Sequence, residues 1–410
     1  MERRRALLGK LAGIAGAVGL AGCSNPLAAS RSETDLDLDP NPHADVLPDR
    51  QHAQSAYVRQ DDHGNPLLPR HHRVLLLDLE ASPSVETGRT IERAMRALEA
   101  AFDWSPSGLF HLLAWGPGYF ERVGALDAVP VRRPEVLSRT DDPDLLDIDA
   151  ALVLSSDVPS HLGAAENAMV GNRDSIGDVP VDDKLGDAFS TVGRRTGFVG
   201  EGLPVEHTGA EGIPEDPPLS EGDRMFMGFR SGLRGTQASE DRVTIDDGPY
   251  GGGTTMHLSH LTQSLTRWFD AFDEEERVAR MFSPEFDADD VEGFTDTVPF
   301  SDAVPEHASE HDVVGHHEKV ARVREDGEPI VLRRDFNTVD GGRAGVHFLS
   351  FQASLDDFEK TRKAMNGWYV RDESERVRDT DNNGILKFIT VRSRANFYVP
   401  TREYRALPGF

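Results

Sequence analysis

Cysteine is almost absent from this chain: Cys23 is the only one in 410 residues. A disulfide framework and a cysteine-based metal site are both excluded, so the fold rests on its own core. Positive charge is also scarce, with 44 Lys and Arg against 71 Asp and Glu and a formal net charge of −27. That balance argues against nucleic-acid binding, which needs a basic face. It argues equally against an acidic substrate steered by a positive field. A comfortable membrane span is missing too. The apolar run from Leu7 to Gly22 is short, rich in Gly and Ala, and broken by Lys10. Gly251-Gly252-Gly253 is not followed by Lys-Ser/Thr, so it is no phosphate loop. No Ser-His-Asp arrangement is recognisable.

What is present starts at the N-terminus. Arg3-Arg4-Arg5 precedes the apolar run, which ends in Leu20-Ala21-Gly22-Cys23. A basic start, a short apolar stretch and a small-residue cleavage site describe a secretory signal. The arginines before Leu7-Leu8 resemble a twin-arginine signal, which exports folded proteins. Leu-Ala-Gly-Cys resembles a bacterial-type lipobox, in which Cys23 carries a lipid and becomes the first mature residue. The expected location is the outer face of the cytoplasmic membrane, with the twin-arginine translocon as a transient partner. Acidic residues are spread along the whole chain, which suits a high-salt environment where self-repulsion is screened. A halophilic archaeon is the favoured source.

Four segments are expected: a signal peptide over 1–22, a disordered spacer over 23–65, a first module over 66–225 and a second over 226–410. The spacer is rich in Asp, Pro, Ser and His with little apolar periodicity. Its stretch Arg50 to Val58 is the part placed nearest the body. In the first module, Arg73 to Glu80, Leu109 to Trp115, Asp149 to Ser155 and Phe189 to Gly200 read as strands. Thr87 to Ala101 and Ser160 to Val170 read as helices. The order β-α-β-β-α-β is the split ferredoxin-like pattern.

The second half repeats it. Strands are expected over Thr254 to Leu265, Pro329 to Asp335, Gly345 to Gln352, Gly384 to Arg392 and Asn396 to Pro400. Helices are expected over Asp270 to Phe282 and Leu355 to Met365. The fold class is therefore α+β: two ferredoxin-like modules in a dimeric α+β barrel arrangement, with antiparallel sheets and flanking helices. A cavity between sheet and helices is expected.

Several pieces, in this order and spacing, resemble the dye-decolorizing peroxidase superfamily from about Arg73 onward. Leu112 to Phe120 resembles its first-module strand and turn. Gly228-Phe229-Arg230-Ser231-Gly232 resembles Gly-Phe-x-Asp-Gly, and Ile330 to Asp335 resembles a strand ending in Arg-Arg-Asn. Gly345 to Ala353 with Phe358-Glu359 resembles Gly-Leu-x-Phe-x-x-Phe-Gln and Phe-Glu. The resemblance implies two ferredoxin-like modules, a haem b cofactor and peroxide-dependent oxidation of a small-molecule reductant.

It also implies roles. The distal Arg maps onto Arg333, whose permanent charge stabilises developing negative charge; the alternative is that Arg333 or Arg334 is a salt-bridged strand residue. The proton-shuttling Asp maps onto Ser231, a poor substitute for a carboxylate; Glu240 and Asp241 lie nearby in sequence. Asp335 stands where the family has Asn. The axial ligand of iron maps by distance from Arg333 onto His316, with His317 next. Alignment on Val320-Ala321-Arg322 instead puts Lys319 there, and a charged Lys cannot ligate iron. Phe348 is placed among the residues in contact with the cofactor. His257 and His260, three apart on a strand, point to opposite faces. Three readings follow: a haem peroxidase-like enzyme, a non-catalytic haem- or iron-binding lipoprotein, and a lipoprotein that kept the fold without the cofactor.

Overall fold

The computed structural model describes residues 35–378 and 381–410. The signal, the lipobox and Cys23 lie outside these residues. Among the described residues no helix is long and apolar enough to cross a membrane.

The first module comprises β1 (His71–Leu79), α1 (Val85–Ala101), β2 (Phe110–Trp115), β3 (Ala150–Ser156), α2 (Pro159–Met169) and β4 (Phe189–Phe198). Its antiparallel sheet runs β4-β1-β3-β2. The second module comprises β5 (Thr254–Gln263), α3 (Glu274–Met281), α4 (Val304–His311), α5 (His316–Ala321), β6 (Leu332–Arg333), β7 (Phe336–Thr338), β8 (Gly345–Gln352), α6 (Leu355–Met365) and β9 (Ile389–Val399). Its sheet runs β9-β5-β8-β7, with β6 also on β8. Two seams join the sheets, Asn337 of β7 against Phe198 of β4 and Tyr398 of β9 against Trp115 of β2. Because β5 pairs with both β8 and β9, the strands close into a barrel. The expected fold class is the one adopted.

Period-two alternation sorts the strands' side chains. Val74, Leu76, Met256, Leu258, Phe351 and Phe397 fill the barrel. Leu75 and Leu77 point outward, where Ile91, Met95 and Leu98 of α1 and Leu162 and Met169 of α2 cover them. Ser84 caps α1, its Oγ accepting from the Thr87 amide at 3.1 Å. Glu92 and Glu99, buried on the flank of α1, hold Arg402 and Arg405. Arg405 Nε lies 2.9 Å from Glu92, and Arg402 Nη1 lies 2.6 Å from Glu99.

Four expectations about elements need correction. Residues 35–65 do not form a disordered spacer. They make a strap along the body, in which Gln51 is wholly buried. The Gln51 side chain bonds Leu113 in both directions and donates to Pro400 O at 2.9 Å, and His52 meets Thr244 at 3.0 Å. Side-chain amides and imidazoles seat this segment, so apolar periodicity does not reveal it. The helix expected over Asp270 to Phe282 is interrupted. A short helix ends at Asp270, and Asp273 then caps α3, accepting from the Glu276 amide at 2.9 Å. The strand expected over Pro329 to Asp335 is broken: Pro329 pairs with Arg324 in a separate short ladder, and the chain joins the main sheet at Leu332–Arg333, before β7. The two closing strands are one, β9, whose register slips opposite His260 and Leu261.

Candidate active site

The outer face of the second sheet is not filled as the first one is. Between it and helices α3, α5 and α6 lies a cavity of 260 Å³. Ser259, Leu261, Val346 and Phe348 reach it from the sheet, His316 and His317 from α5, and Phe358, Thr361, Arg362 and Met365 from α6. Ser231, Arg333 and Asp335 line it as well. The structure thus brings Ser231, His316, His317, Arg333 and Phe348 to one cavity, although 117 positions separate Ser231 from Phe348 (348 − 231).

Helix α5 is seated by its first turn. The Gly315 amide donates to Glu318 Oε1 at 2.6 Å, and Glu318 Oε2 lies 2.7 Å from His307 Nδ1. A Cβ at position 315 would sit 1.8 Å from the Phe282 carbonyl oxygen, so only glycine permits this approach. His307 is therefore a buried partner of the helix cap.

His316 opens the helix. Its Nδ1 is buried and has no hydrogen-bond partner. Burial, then the nearby charges of Lys319 and Arg333, hold its pKa well below the usual imidazole value. The ring is neutral at pH 7, the form that ligates metals. His317 is also neutral, pushed down to about 4 by burial and Arg333, but its Nε2 is engaged by Val298 O at 3.3 Å.

Lys319 turns away. Its Nζ donates to Met365 O and Asn383 O, each at 2.9 Å, and to Asn383 Oδ1 at 2.6 Å. Burial, reinforced by Arg362, pushes its pKa down to about 7. The alignment that put Lys319 in the ligand place fails for this reason: its amine is spent outside the cavity.

Adjacent arginines take different roles. Arg334 is buried and pairs with Glu240 at 2.9 Å. Arg333 has its backbone amide on Gln237 Oε1 at 2.8 Å, while its guanidinium has no hydrogen bond or ion pair among the described residues. The salt-bridged strand residue is Arg334. Glu240 is further occupied by the amides of Gln54 and Ser55, at 2.7 and 2.8 Å, and Asp241 pairs with Arg50 on the surface. Neither replaces the missing Asp. The carboxylate beside Ser231 is Asp335, whose Oδ2 accepts from Ser231 Oγ at 3.3 Å. Among the described residues Asp335 is the only carboxylate lining the cavity. Its sequence signal was its place directly after Arg333-Arg334, and only folding shows what it faces.

The strap holds this motif too, because Asp61 ion-pairs Arg230. Elsewhere on the wall, Arg362 and Arg394 converge on Asp141 of the first module, each at 2.8 Å. Arg394 Nε and Nη1 are buried without a partner. His257 sits outside the barrel, stacked on Phe358 at 3.6 Å, while His260 meets His347 at 4.7 Å. Among the described residues no cluster of three or more His, Cys, Asp or Glu forms a metal site.

Solved structures of dye-decolorizing peroxidases share this barrel of two ferredoxin-like modules. The dye-decolorizing protein from V. cholerae is 15% identical, with a TM-score of 0.56 over 87% of this chain and 99% of that one. A DyP-type peroxidase from Cellulomonas bogoriensis is 17% identical, with a TM-score of 0.55 over 83% and 94%. A Rhodococcus jostii DypB variant in complex with heme is 15% identical, with a TM-score of 0.55 over 88% and 98%. Identity this low establishes a shared fold. By sequence the chain belongs to DUF7405, a family of unknown function, which it matches over residues 69–401. No curated protein matches it.

Proposed function

We propose that this protein is a haem-dependent, peroxidase-like oxidoreductase. On this reading it is exported and held on the outer face of the cytoplasmic membrane by lipid on Cys23. The observation that carries the activity is the meeting of a neutral, unpartnered imidazole (His316), a free guanidinium (Arg333) and a hydroxyl–carboxylate pair (Ser231 and Asp335) around one cavity. The haem complex known for the Rhodococcus jostii neighbour supports the cofactor choice.

The residues fit haem chemically. His316 would hold the iron, and Arg362 and Arg394 offer donors to the cofactor's carboxylates. Phe229, Phe282, Phe348 and Phe358 give apolar walls. The volume, 260 Å³, lies just under the roughly 300–1,000 Å³ of ordinary ligand pockets. Met225, Met227, Met281 and Met365 line it, and unbranched methionines repack readily to make room. Bound haem supplies the redox chemistry by which two electrons pass from a reductant to hydrogen peroxide, which takes up two protons and becomes two waters.

The chain's own groups do the rest. Arg333 stabilises negative charge that develops on the departing oxygen. Ser231 cannot act as a base at neutral pH, so the proton rests on Asp335 Oδ2 between leaving one peroxide oxygen and reaching the other. The Ser231 hydroxyl orients that carboxylate. The usual carboxylate has in effect moved from the Gly-Phe-x-x-Gly motif to the end of the arginine strand.

An absorption spectrum of protein purified with haem supplied tests the cofactor: a Soret band is expected, and its loss in His316→Ala identifies the ligand. If His316→Ala and His317→Ala both keep the band, the assignment fails. Peroxide-dependent dye oxidation, abolished in Arg333→Ala, tests the activity. A Soret band without turnover would leave a haem-binding lipoprotein, the reading that Ser231 favours.

A further inference from the structure

A second, larger cavity of 680 Å³ meets the first at Ser231, Gly232, Pro329 and Arg333. One wall is the strap, from Ser55 through Arg59 and Gly64 to Leu68; the others come from the start of β1, the loop after β4 and the Arg333 strand. Its charge reverses that of the chain. Seven arginines line it against two glutamates, Glu201 and Glu328, whereas Asp and Glu outnumber Lys and Arg by 71 to 44 overall.

Five of those arginines are neutralised. Arg59 pairs with Asp157, Arg224 with Glu201, Arg234 with Asp296, Arg242 with Glu325 and Arg334 with Glu240. Two keep their charge uncompensated. Arg333 has no partner for its guanidinium, and Arg70 reaches only the Glu201 carbonyl oxygen, at 3.4 Å. Beside them, Gln237 Nε2 and Arg334 Nε are buried with no acceptor, and Arg334 is only 6% exposed. Both lining side-chain atoms that are buried without a partner are donors, while the one unpaired carboxylate among the described lining residues, Glu328, is exposed. Unmet buried donors are costly, and an acceptor bound in this cavity would relieve that cost. Guanidinium groups match the planar, two-oxygen face of a carboxylate.

We infer that this cavity is a binding site for a small oxyanion, and for an organic carboxylate in particular, held by Arg70, Arg333, Gln237 and Arg334. It gives the proposed oxidoreductase an anionic class of reductant, delivered at the Arg333 edge of the inner cavity. Net charge, which argues against an acidic substrate, describes the whole surface; five local ion pairs and four free donors describe this site.

The test is calorimetric titration of the full-length protein with benzoate, benzamide and sulfate at constant sodium chloride. The Soret absorbance of each sample is recorded beforehand, so that failure of the haem reading and failure of the anion site are read separately. Saturable benzoate binding is expected, with benzamide at least tenfold weaker. Arg70→Gln and Gln237→Glu, which alter residues of this cavity alone, should each weaken benzoate at least tenfold without changing the Soret band. Sulfate binding tighter than benzoate would make the occupant an inorganic oxyanion at the same site. Equal binding of benzamide and benzoate, absence of saturable binding by benzoate and sulfate, or benzoate affinity unchanged in both variants would each overturn the site. The benzoate–benzamide contrast is read on the unaltered protein and does not depend on a variant folding.

Discussion

The two modules share one strand order and differ in what lies on the outer face of the sheet. In the first, α1 and α2 press Ile91, Met95, Leu98, Leu162 and Met169 onto Leu75 and Leu77 and leave no space. In the second, α5 and α6 bring His316, His317, Thr361 and Arg362 to the equivalent face, and a cavity remains. The same scaffold is thus a packed core on one side and a site on the other. The first module's buried carboxylates, Glu92 and Glu99, are neutralised by Arg402 and Arg405. The second module's polar groups face the space.

The largest effect is expected at the Glu99 ion pairs. Glu99→Ala leaves Arg402 and Arg405 buried beside a lost partner, and should cost about 3–5 kcal/mol in a denaturant titration. Retention of full stability would show that the C-terminus is not held there. A matched pair then probes the two faces. Met95→Ala, in the filled face, should cost about 2–5 kcal/mol, whereas Met365→Ala, beside space already present, should cost about 1 kcal/mol or less. Equal losses would mean the second face is as tightly filled as the first. At the proton relay, Asp335→Asn should lower peroxide turnover about 100-fold with the Soret band unchanged, and Ser231→Ala should lower it by less than about tenfold. The opposite ranking would return the proton role to Ser231.

The smallest effect separates a buried imidazole from a buried carboxylate by pH. Burial holds His257 in the second module down at about 3. The unfolded chain takes up that proton near pH 6.5 and the folded chain does not. The stability this site contributes is present above about pH 6.5 and is lost as pH falls toward the folded value. Glu99 behaves otherwise. Burial alone would raise its pKa, but the Arg405 guanidinium, ion-paired with it, holds it well below the carboxylate range. Its contribution is full above about pH 4.3 and is lost only in stronger acid. Between about pH 6.5 and 4.5, melting temperatures should therefore fall, and His257→Gln should flatten that fall while a Glu99 variant should not. A Glu99 variant that alters the slope in this window would break the distinction.

Legibility in the sequence followed the same division. The first module's strands were readable because filled faces leave regular apolar alternation: Leu109 to Trp115 was expected and Phe110–Trp115 is found. The second module was read less well where its chain bends around the cavity. Asp273 interrupts the helix after Asp270, and the arginine strand keeps only short pairing before β7. Of the strap, only Arg50 to Val58 was placed nearest the body; the rest read as spacer, because hydrogen bonds such as those of Gln51 and His52 carry no period. Motif order led to His316, Arg333 and Ser231 as neighbours of one space. It did not lead to the contact of Asp335 with Ser231, made across 104 positions, or to the arginine-lined cavity beside them.

By itself, the sequence determined the absence of disulfides, the overall acidity and the doubled β-α-β-β-α-β order. Composition and short-range periodicity are local properties, set by 2.0 and 3.6 residues per repeat. Tertiary structure alone decided that Lys319 is spent on Asn383 while His316 stays free, and that Arg70 and Arg333, without ion pairs among the described residues, share one cavity. Those outcomes depend on which distant groups share a buried space, and burial sets both the charge state of an imidazole and the cost of an unmet donor.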